Sequence, residues 1–398
     1  MGRYTVGRAG GKFVTIVHVT PSLDPAAGGL PVVPVRLAAA QAALGHAVTI
    51  LAQHDSAARS DPPALFAGVP GIERVRYGWL PPAGPAAMVR STRTTAALDV
   101  PLANATIVHL HGIWAPVMAA AARAAQRRGV PYIVAPHGML DPWSLSQKRW
   151  KKRLALALTW RRILNAAAAI HCLNADEQRL LADLRLTAPT TVIPNGIFLH
   201  EVQPAPEPLS ARFPTLAGRR FILFLSRLHY KKGLDILADA FAMIAPTCRD
   251  VHLVVAGPDE GARGEFERRI QAAGLEPRTH LLGALLGPDK WAALRDAAVF
   301  CLPSRQEGFS MAVLEALASR TPVVISDACH FPEVAASGAG IVTSLEPQPI
   351  AAALERILSN PTEARRMGTA GRQLVETRFT WERAAATALA AYDRVRPH

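Results

Sequence analysis

The chain has 398 residues, of which 50% are hydrophobic, and its formal net charge is +13. This length and composition predict a soluble globular protein with two sizeable cores, and the lack of any run of 18 apolar residues excludes a membrane-spanning helix. The four cysteines are dispersed and form no C-x-x-C pair, which excludes a disulfide framework and a cysteine zinc site.

Apolar runs alternate with helical patterns through the first half of the chain. Arg3 and Arg8 precede the first run without an apolar stretch of signal-peptide length, so we expect a cytoplasmic protein. Alternation of this kind predicts a parallel sheet covered by helices on both faces, and thus a Rossmann-like domain over residues 1–198. The predicted strands are Phe13–Val19, Ala47–Leu51, Ile107–Leu110, Tyr132–Ala135, Ala169–Leu173 and Thr190–Ile193, with helices at Val32–Leu44 and Pro116–Arg128.

A proline-rich stretch separates the two halves. Pro204, Pro206, Pro208 and Pro214 follow the last of these strands and indicate a linker. The alternating pattern then returns and predicts a second Rossmann-like domain over residues 199–378, which ends in helices. Its predicted strands are Phe221–Leu225, Val251–Ala256, Val299–Leu302 and Val323–Ile325, and a helix is predicted at Leu234–Ile244.

Glu307 and Glu315 bracket a turn that opens a helix directly after the predicted strand Val299–Leu302. Gly308 permits a tight turn, and Ser310 is a good N-cap for the helix. Ligands of open α/β sheets bind at the carboxyl ends of strands, and a helix N-terminus there favours a phosphate. The two carboxylates can accept hydrogen bonds from hydroxyls, so the pattern favours a sugar-nucleotide site. A solvated helix face is the structural alternative.

A second strand–loop–helix unit carries cations. Arg227 and Lys232 lie in the loop after Phe221–Leu225, and Gly233 stands at the start of the next helix. Two cations and a helix dipole can hold a diphosphate, and the sequence places no acid nearby to neutralise the loop. A solvated basic loop is the structural alternative.

These segments resemble the family 4 retaining glycosyltransferases of group 1, which have the GT-B fold. The resemblance implies two Rossmann-like domains that face each other across a cleft, with residues 379–398 forming a helix that crosses back to the first domain. It covers nearly the whole chain and rests on seven segments: Gly28–Gly29, Val108–Trp114, Pro136–Trp143, Ser226–Asp235, Val255–Pro258, Leu302–Ser310 and Ser326–Glu333.

The resemblance also implies roles for residues of the first domain. His137, on a loop after a predicted strand, is implied to orient the donor sugar near its reacting centre. His111 and Trp114 are candidates for contacts with the acceptor or the wall of the cleft. The glycine pair Gly28 and Gly29 follows the first strand and lets the backbone approach the donor. Without the resemblance, an ordinary turn and structural histidines explain these residues nearly as well.

In the second domain the resemblance implies a site for a nucleotide-sugar donor. Arg227, Lys232 and the amides of Gly308, Phe309 and Ser310 would stabilise the leaving diphosphate. No D-x-D motif follows a strand in the way that a metal–diphosphate site needs, so we expect neither a metal nor a cofactor. The remaining implied contacts are Glu307 with the sugar hydroxyls, Glu315 with the ribose and Gly257 near the base.

Residues 143–162 combine cations with aromatic and leucine side chains and contain no acid. A predicted helix carries the cations Lys148, Arg149, Lys151, Lys152, Arg153, Arg161 and Arg162 together with Trp143, Trp150 and Trp160. This mixture predicts peripheral contact with anionic lipid at the inner face of the cytoplasmic membrane. A core-facing apolar stripe with solvated cations is the alternative.

The sequence therefore predicts hexosyl transfer from a UDP- or GDP-linked sugar to a saccharide or lipid-linked saccharide, in polysaccharide or glycolipid biosynthesis. A sugar-nucleotide epimerase of similar architecture is the main alternative, but it would need further acid/base carboxylates in the first domain. A non-catalytic nucleic-acid-binding protein is disfavoured because it would not need the paired glutamates at a phosphate site.

Overall fold

A computed structural model describes residues 13–24, 29–53, 66, 68–88, 93–202 and 207–396. The chain forms two compact units. Among the described residues, the first unit contains those up to Cys172, then Leu180–Ile193 and those from Ala385 onward; the second contains Leu173–Arg179 and Pro194–Ala384. No helix in the described ranges has both the length and the apolar character needed to cross a bilayer.

The first unit is built on a parallel sheet of seven strands, whose order is β3-β2-β1-β4-β5-β6-β7. The strands are β1 Thr15–Thr20, β2 Ala47–Gln53, β3 Arg76–Leu80, β4 Ile107–His111, β5 Tyr132–Ala135, β6 Ala169–Cys172 and β7 Thr190–Val192. The helices of the first half are α1 Gly29–Ala43, α2 Arg93–Ala97, α3 Pro116–Arg127, α4 Pro142–Ser146, α5 Arg149–Ala155, α6 Arg161–Asn165 and α7 Ala175–Leu181.

The second unit has a parallel sheet of six strands in the order β10-β9-β8-β11-β12-β13. The strands are β8 Arg220–Leu225, β9 Val251–Ala256, β10 Thr279–Gly283, β11 Val299–Leu302, β12 Val323–Ser326 and β13 Gly340–Thr343. The helices of the second half are α8 Leu209–Arg212, α9 Leu234–Ile244, α10 Arg263–Ala272, α11 Gly287–Asp296, α12 Met311–Ala318, α13 Glu333–Ala336, α14 Pro347–Ser359, α15 Pro361–Arg378 and α16 Trp381–Val395.

The two parallel α/β sheets confirm the predicted fold class, and every predicted strand is present to within two residues at either end. The sequence missed β3, β10 and β13, all of which are edge strands. These three strands are only partly buried, so they lack the continuous apolar run that marks a central parallel strand. The domain boundaries predicted at residues 198 and 378 stay predictions.

Each sheet reverses its strand order once, between β1 and β4 in the first unit and between β8 and β11 in the second. The loops after these strands leave in opposite directions and open a crevice at the carboxyl edge of the sheet, where ligands of such folds bind. The predicted donor loops follow β8 and β11. They therefore flank the crevice of the second sheet.

Candidate functional site

The loops after β8, β9 and β11 meet backbone to backbone at the carboxyl edge of the second sheet. Gly257 has φ of 146°, and a Cβ there would lie 1.8 Å from the carbonyl oxygen of Ser226. Gly233 has φ of 67°, and a Cβ there would lie 1.8 Å from the carbonyl oxygen of Pro303. Any side chain at either glycine would push the loops apart, so both glycines hold the site closed at its base.

Lys232 and Glu307 form an ion pair at the centre of this site. Lys232 Nζ lies 2.6 Å from Glu307 Oε1, and the Ser304 hydroxyl donates to the same oxygen at 2.6 Å. The two side chains are 13% and 9% exposed, so the pair is largely removed from water. The sequence nominated both residues without indicating that they touch.

Arg227 is more exposed and has an acidic partner too. Its Nη1 donates to the two carboxylate oxygens of Glu260 at 2.7 and 2.8 Å. The expectation that no acid neutralises this loop is therefore wrong. Glu260 follows β9 and Glu307 follows β11, and only the packing of parallel strands side by side brings these distant segments to the loop after β8.

Glu315 lies on α12, and its Oε1 accepts from Lys290 Nζ of α11 at 2.7 Å. Lys290 also lies 4.5 Å from the centre of the Trp291 ring. Sequence reasoning missed Lys290, because a lysine in an amphipathic helix carries no motif. The predicted N-cap of α12 is confirmed, since the Ser310 hydroxyl accepts from the Val313 amide at 3.4 Å.

Phe309 has its ring in an aromatic cluster of the second core. The ring centre lies 5.1 Å from that of Phe331 and 5.8 Å from that of Phe379. This packing anchors the turn between Gly308 and Ser310, so the contribution of Phe309 to a ligand would come from its backbone. The predicted amide contacts of the three residues stay predictions.

Arg305 ties the two loops of the site together. Its guanidinium makes a two-pronged ion pair with Asp235 at 2.8 and 2.7 Å, and its amide donates to the Lys231 carbonyl at 2.6 Å. The guanidinium also lies 3.9 Å from the centre of the Tyr230 ring. Sequence reasoning missed this role, which fixes the spacing of Lys232 from Glu307.

In the first unit, the predicted cleft residues lie after β4 and β5. His137 and Trp114 have φ of 53° and 72°, a left-handed conformation that non-glycine residues adopt mainly where structure or function requires it. The Trp114 ring meets that of Trp160 edge to face at 6.0 Å. Gly29 is the first residue of α1, whereas Gly28 lies outside the described residues.

His111 is buried in the core, whereas the sequence predicted it to contact an acceptor or the wall of the cleft. Its Nε2 lies 2.8 Å from His18 Nδ1, and its Nδ1 lies 3.1 Å from His137 Nε2. Both ring nitrogens are thus occupied by other histidines. The strand β4 was predicted correctly, but its last residue belongs to the core rather than to a loop.

Five histidines of the first unit form one cluster, and all of them except the partly buried His137 are buried: His18, His109, His111, His137 and His171. Burial lowers the pKa of His18 and of His171 to about 4 and that of His137 to about 3. Burial, reinforced by the neighbouring histidines, also brings the pKa of His109 and His111 well below the usual value. At neutral pH the cluster is therefore uncharged.

His18, His109 and His111 bring ring nitrogens within 4.8 Å of one another, a spacing that a metal ion could use. Their nitrogens already have hydrogen-bond partners within the protein. Hydrogen bonding therefore accounts for the cluster without a metal.

The basic segment forms a helical run from Arg149 to Asn165 with a π-turn at Leu156–Trp160. Trp143 and Lys148 lie outside it, which corrects their predicted place on the helix. Trp150, Leu154 and Leu158 are 78%, 60% and 70% exposed, at a spacing that aligns them on one face, whereas Trp160 is buried. The core-facing alternative therefore holds for Trp160 but not for this exposed stripe. A neighbouring cavity of about 500 Å³ is lined by cations and no acid: Arg149, Lys152, Arg153 and Arg161.

Comparison with known proteins gives matches in both halves of the chain. Residues 209–374 match the family model described as glycosyl transferases group 1, and residues 28–196 match the glycosyl transferase 4-like domain. An MMP alpha-(1->4)-mannosyltransferase of Mycolicibacterium hassiacum is 36% identical over 41% of this chain and 40% of its own length. A phosphatidyl-myo-inositol mannosyltransferase of Mycobacterium leprae is 33% identical over 51% and 53%. The matched region thus spans about half the length of these relatives.

Two solved structures resemble almost the whole chain. A sucrose-phosphate synthase from Thermosynechococcus elongatus has a TM-score of 0.75 at 22% identity, over 96% of this chain and 99% of that one. The HepE protein of Anabaena, in complex with UDP and glucose, has a TM-score of 0.77 at 19% identity, over 96% and 100%. These likenesses confirm the predicted GT-B fold.

Proposed function

Because this chain belongs to the group 1 glycosyltransferases, we propose that it transfers a hexosyl group from a UDP- or GDP-linked sugar to a saccharide or lipid-linked saccharide. The proposal includes retention of the anomeric configuration and independence of metal. The main supporting observation is that Arg227, Lys232 and Glu307 lie on the two loops that flank the crevice of the second sheet, where its strand order reverses. The mannosyltransferase relatives support a hexosyl donor, and one of them is named for a phosphatidyl-inositol substrate.

The chemistry follows from the charges of these residues. When the bond from the sugar to the diphosphate breaks, the bonding electrons leave with the phosphate oxygen and negative charge develops there. Lys232 and Arg227 would supply positive charge at that position, which lowers the barrier. The Lys232 ammonium is already held in place by Glu307 and largely removed from water. Arg227 can turn from Glu260 to the diphosphate at little cost, since their exposed ion pair is weak.

Glu307 would accept hydrogen bonds from hydroxyls of the donor sugar. Lys232 occupies its Oε1, so the pair also fixes the orientation of the carboxylate. The acceptor hydroxyl attacks the anomeric carbon from the face that the diphosphate leaves, and its proton passes to the departing phosphate oxygen. Because the acceptor itself forms the new bond and the phosphate takes its proton, the reaction needs no protein nucleophile. His137, uncharged at neutral pH, would orient the sugar rather than donate a proton to it.

The donor is identified by thermal unfolding of the metal-free protein with UDP, GDP, ADP or TDP. We expect one nucleotide at about a hundred times its dissociation constant to add roughly 2.7 kcal/mol of stability. Lys232→Ala and Glu315→Ala should weaken this shift, and EDTA should leave it unchanged. Arg212→Ala, which removes an exposed ion pair with Asp289, is the control. A shift that appears only with a divalent cation would contradict metal independence, and no shift with any nucleotide would contradict the proposed site.

We also propose that the exposed stripe of Trp150, Leu154 and Leu158 inserts into an anionic membrane surface beside the acceptor. Replacing all three by serine should lower binding to phosphatidylglycerol vesicles about a thousandfold or more, because each side chain contributes roughly 1.5–3 kcal/mol on burial. Sedimentation with vesicles measures this. Leu286→Ser, at an equally exposed leucine of the second unit, should bind as the wild type does. Equal binding by the triple variant would contradict the proposed contact.

A further inference from the structure

The histidine cluster of the first unit is one continuous hydrogen-bonded chain. It starts at the Ile193 carbonyl, which lies 2.6 Å from His171 Nε2, and His171 Nδ1 lies 3.1 Å from His109 Nε2. His109 Nδ1 then lies 2.7 Å from the Tyr392 hydroxyl, which accepts from the Gln41 amide at 3.0 Å.

The chain continues from Gln41 to the predicted cleft residue. Gln41 Oε1 lies 2.7 Å from His18 Nε2, and His18 Nδ1 lies 2.8 Å from His111 Nε2. His111 Nδ1 lies 3.1 Å from His137 Nε2. The side chains from His171 to His111 are buried, so the protein itself and not solvent supplies these partners.

One end of the chain fixes the direction of every hydrogen bond in it. A backbone carbonyl only accepts, so His171 must donate from Nε2 and accept at Nδ1. His109 must then donate from Nε2, which leaves its Nδ1 to accept the Tyr392 proton. The Tyr392 oxygen is in turn free to accept from Gln41, and this sets the Gln41 amide with its oxygen toward His18.

The hydrogen bonds from Gln41 to His137 also have a single direction. An amide oxygen only accepts, so His18 donates from Nε2 and accepts at Nδ1 from His111 Nε2. His111 accepts at Nδ1 from His137 Nε2. Five neutral rings thus share one tautomer, and His137 keeps Nδ1 as an acceptor at the end of the chain.

We propose that Tyr392 and Gln41 are positioning residues, which act through His18 and His111 to hold His137 as an Nε2–H imidazole whose Nδ1 accepts a hydrogen bond from a ligand hydroxyl. This inference rests on the proposed function for the identity of the ligand. It goes further in assigning a role to the last helix, because Tyr392 lies on α16. The five low pKa values agree with it, since an imidazolium has no acceptor nitrogen and would break the chain.

Tyr392→Phe removes one oxygen and keeps the ring. His171 still donates from Nε2 to the Ile193 carbonyl, and His109 still donates from Nε2 to His171. The Gln41 amide, in contrast, loses the acceptor that sets its orientation. A rotated amide donates to His18 Nε2 and forces Nδ1–H tautomers on His18, His111 and His137 in turn. The variant should therefore change the tautomers of His18, His111 and His137 and leave those of His109 and His171 unchanged.

Nitrogen NMR spectra of the full-length protein with ring-labelled histidine report each tautomer directly. In the wild type we expect a protonated Nε2 and an unprotonated Nδ1 at all five positions. In Tyr392→Phe we expect protonated Nδ1 to appear at His18, His111 and His137 only, and kcat/KM to fall about three- to tenfold, the effect of one lost hydrogen bond to the ligand.

The matched control is Tyr132→Phe, because Tyr132 is also buried in the first unit and also pairs its hydroxyl with a glutamine, Gln126. It should change no tautomer. A wild-type Nδ1–H at His137, unchanged tautomers in Tyr392→Phe, or displacement of the ring signals by added Zn²⁺ would each overturn the proposal. Tautomers that change as expected in a protein that transfers no sugar would support the relay while the proposed function fails.

Discussion

Lys232→Met is expected to lower kcat/KM for glycosyl transfer about 10²- to 10³-fold, the usual effect of removing one group that stabilises developing charge. The same change should lower the free energy of unfolding of the second unit by about 3–5 kcal/mol, because it leaves Glu307 buried with an uncompensated charge. Steady-state kinetics and urea denaturation measure the two effects separately.

A double variant separates catalysis from stability. Lys232→Met with Glu307→Gln removes both charges and keeps the Ser304 hydroxyl supplied with an acceptor. We expect most of the lost stability to return while transfer stays low. Arg212→Met is the control, since its exposed pair with Asp289 is worth about 0–1 kcal/mol and lies outside the site. Near-normal transfer by folded Lys232→Met would contradict the proposal that Lys232 stabilises the leaving diphosphate.

Acid is expected to unfold the first unit before the second. The five clustered histidines have folded pKa values far below the value of about 6.5 of an unfolded chain. Between about pH 6.5 and pH 4 the unfolded state therefore binds more protons than the folded state, and stability falls as pH falls. Each histidine that stays neutral costs about 2 kcal/mol between pH 7 and pH 5, so five can consume the 5–15 kcal/mol of a typical domain.

Hydrogen exchange resolved by peptide mass spectrometry tests this prediction. After correction for intrinsic rates, peptides from β4 and β6 should lose protection between pH 7 and pH 5.5, while those from β8 and β11 keep it. His200→Gln, at an exposed histidine, should leave the dependence unchanged, whereas His18→Gln should reduce the slope by about one proton. Equal protection of both units at pH 5.5 would contradict the coupling of the cluster to stability.

The amino-acid sequence by itself determined the class of fold and the candidate loops. Central parallel strands are buried on both faces, so runs such as Phe221–Leu225 stand out, and turn residues such as Gly233 and Gly308 mark where ligand loops begin. The rule that ligands bind at the carboxyl ends of strands then selected Arg227, Lys232 and Glu307 before any coordinates.

Only the tertiary structure decided which of these groups touch. Glu260 contacts Arg227, and Lys290 contacts Glu315. Both contacts form because the parallel strands and their helices place segments that are distant in sequence next to each other. Periodicity carries no information about such neighbours. It likewise could not show that Trp150 faces outward while Trp160 is buried, since a π-turn shifts the helix between them.

The hydrogen-bonded row of histidines is the clearest example of an arrangement that only the tertiary structure decides. In the sequence its members are histidines on three strands and one loop, and only His111 and His137 lie in motifs that suggest a role. Parallel packing of β1, β4, β5 and β6 in that order brings them together, and one backbone carbonyl then sets the direction of every hydrogen bond as far as His137. The sequence determines which residues are histidines, but the direction of their hydrogen bonds is set only when the strands pack together.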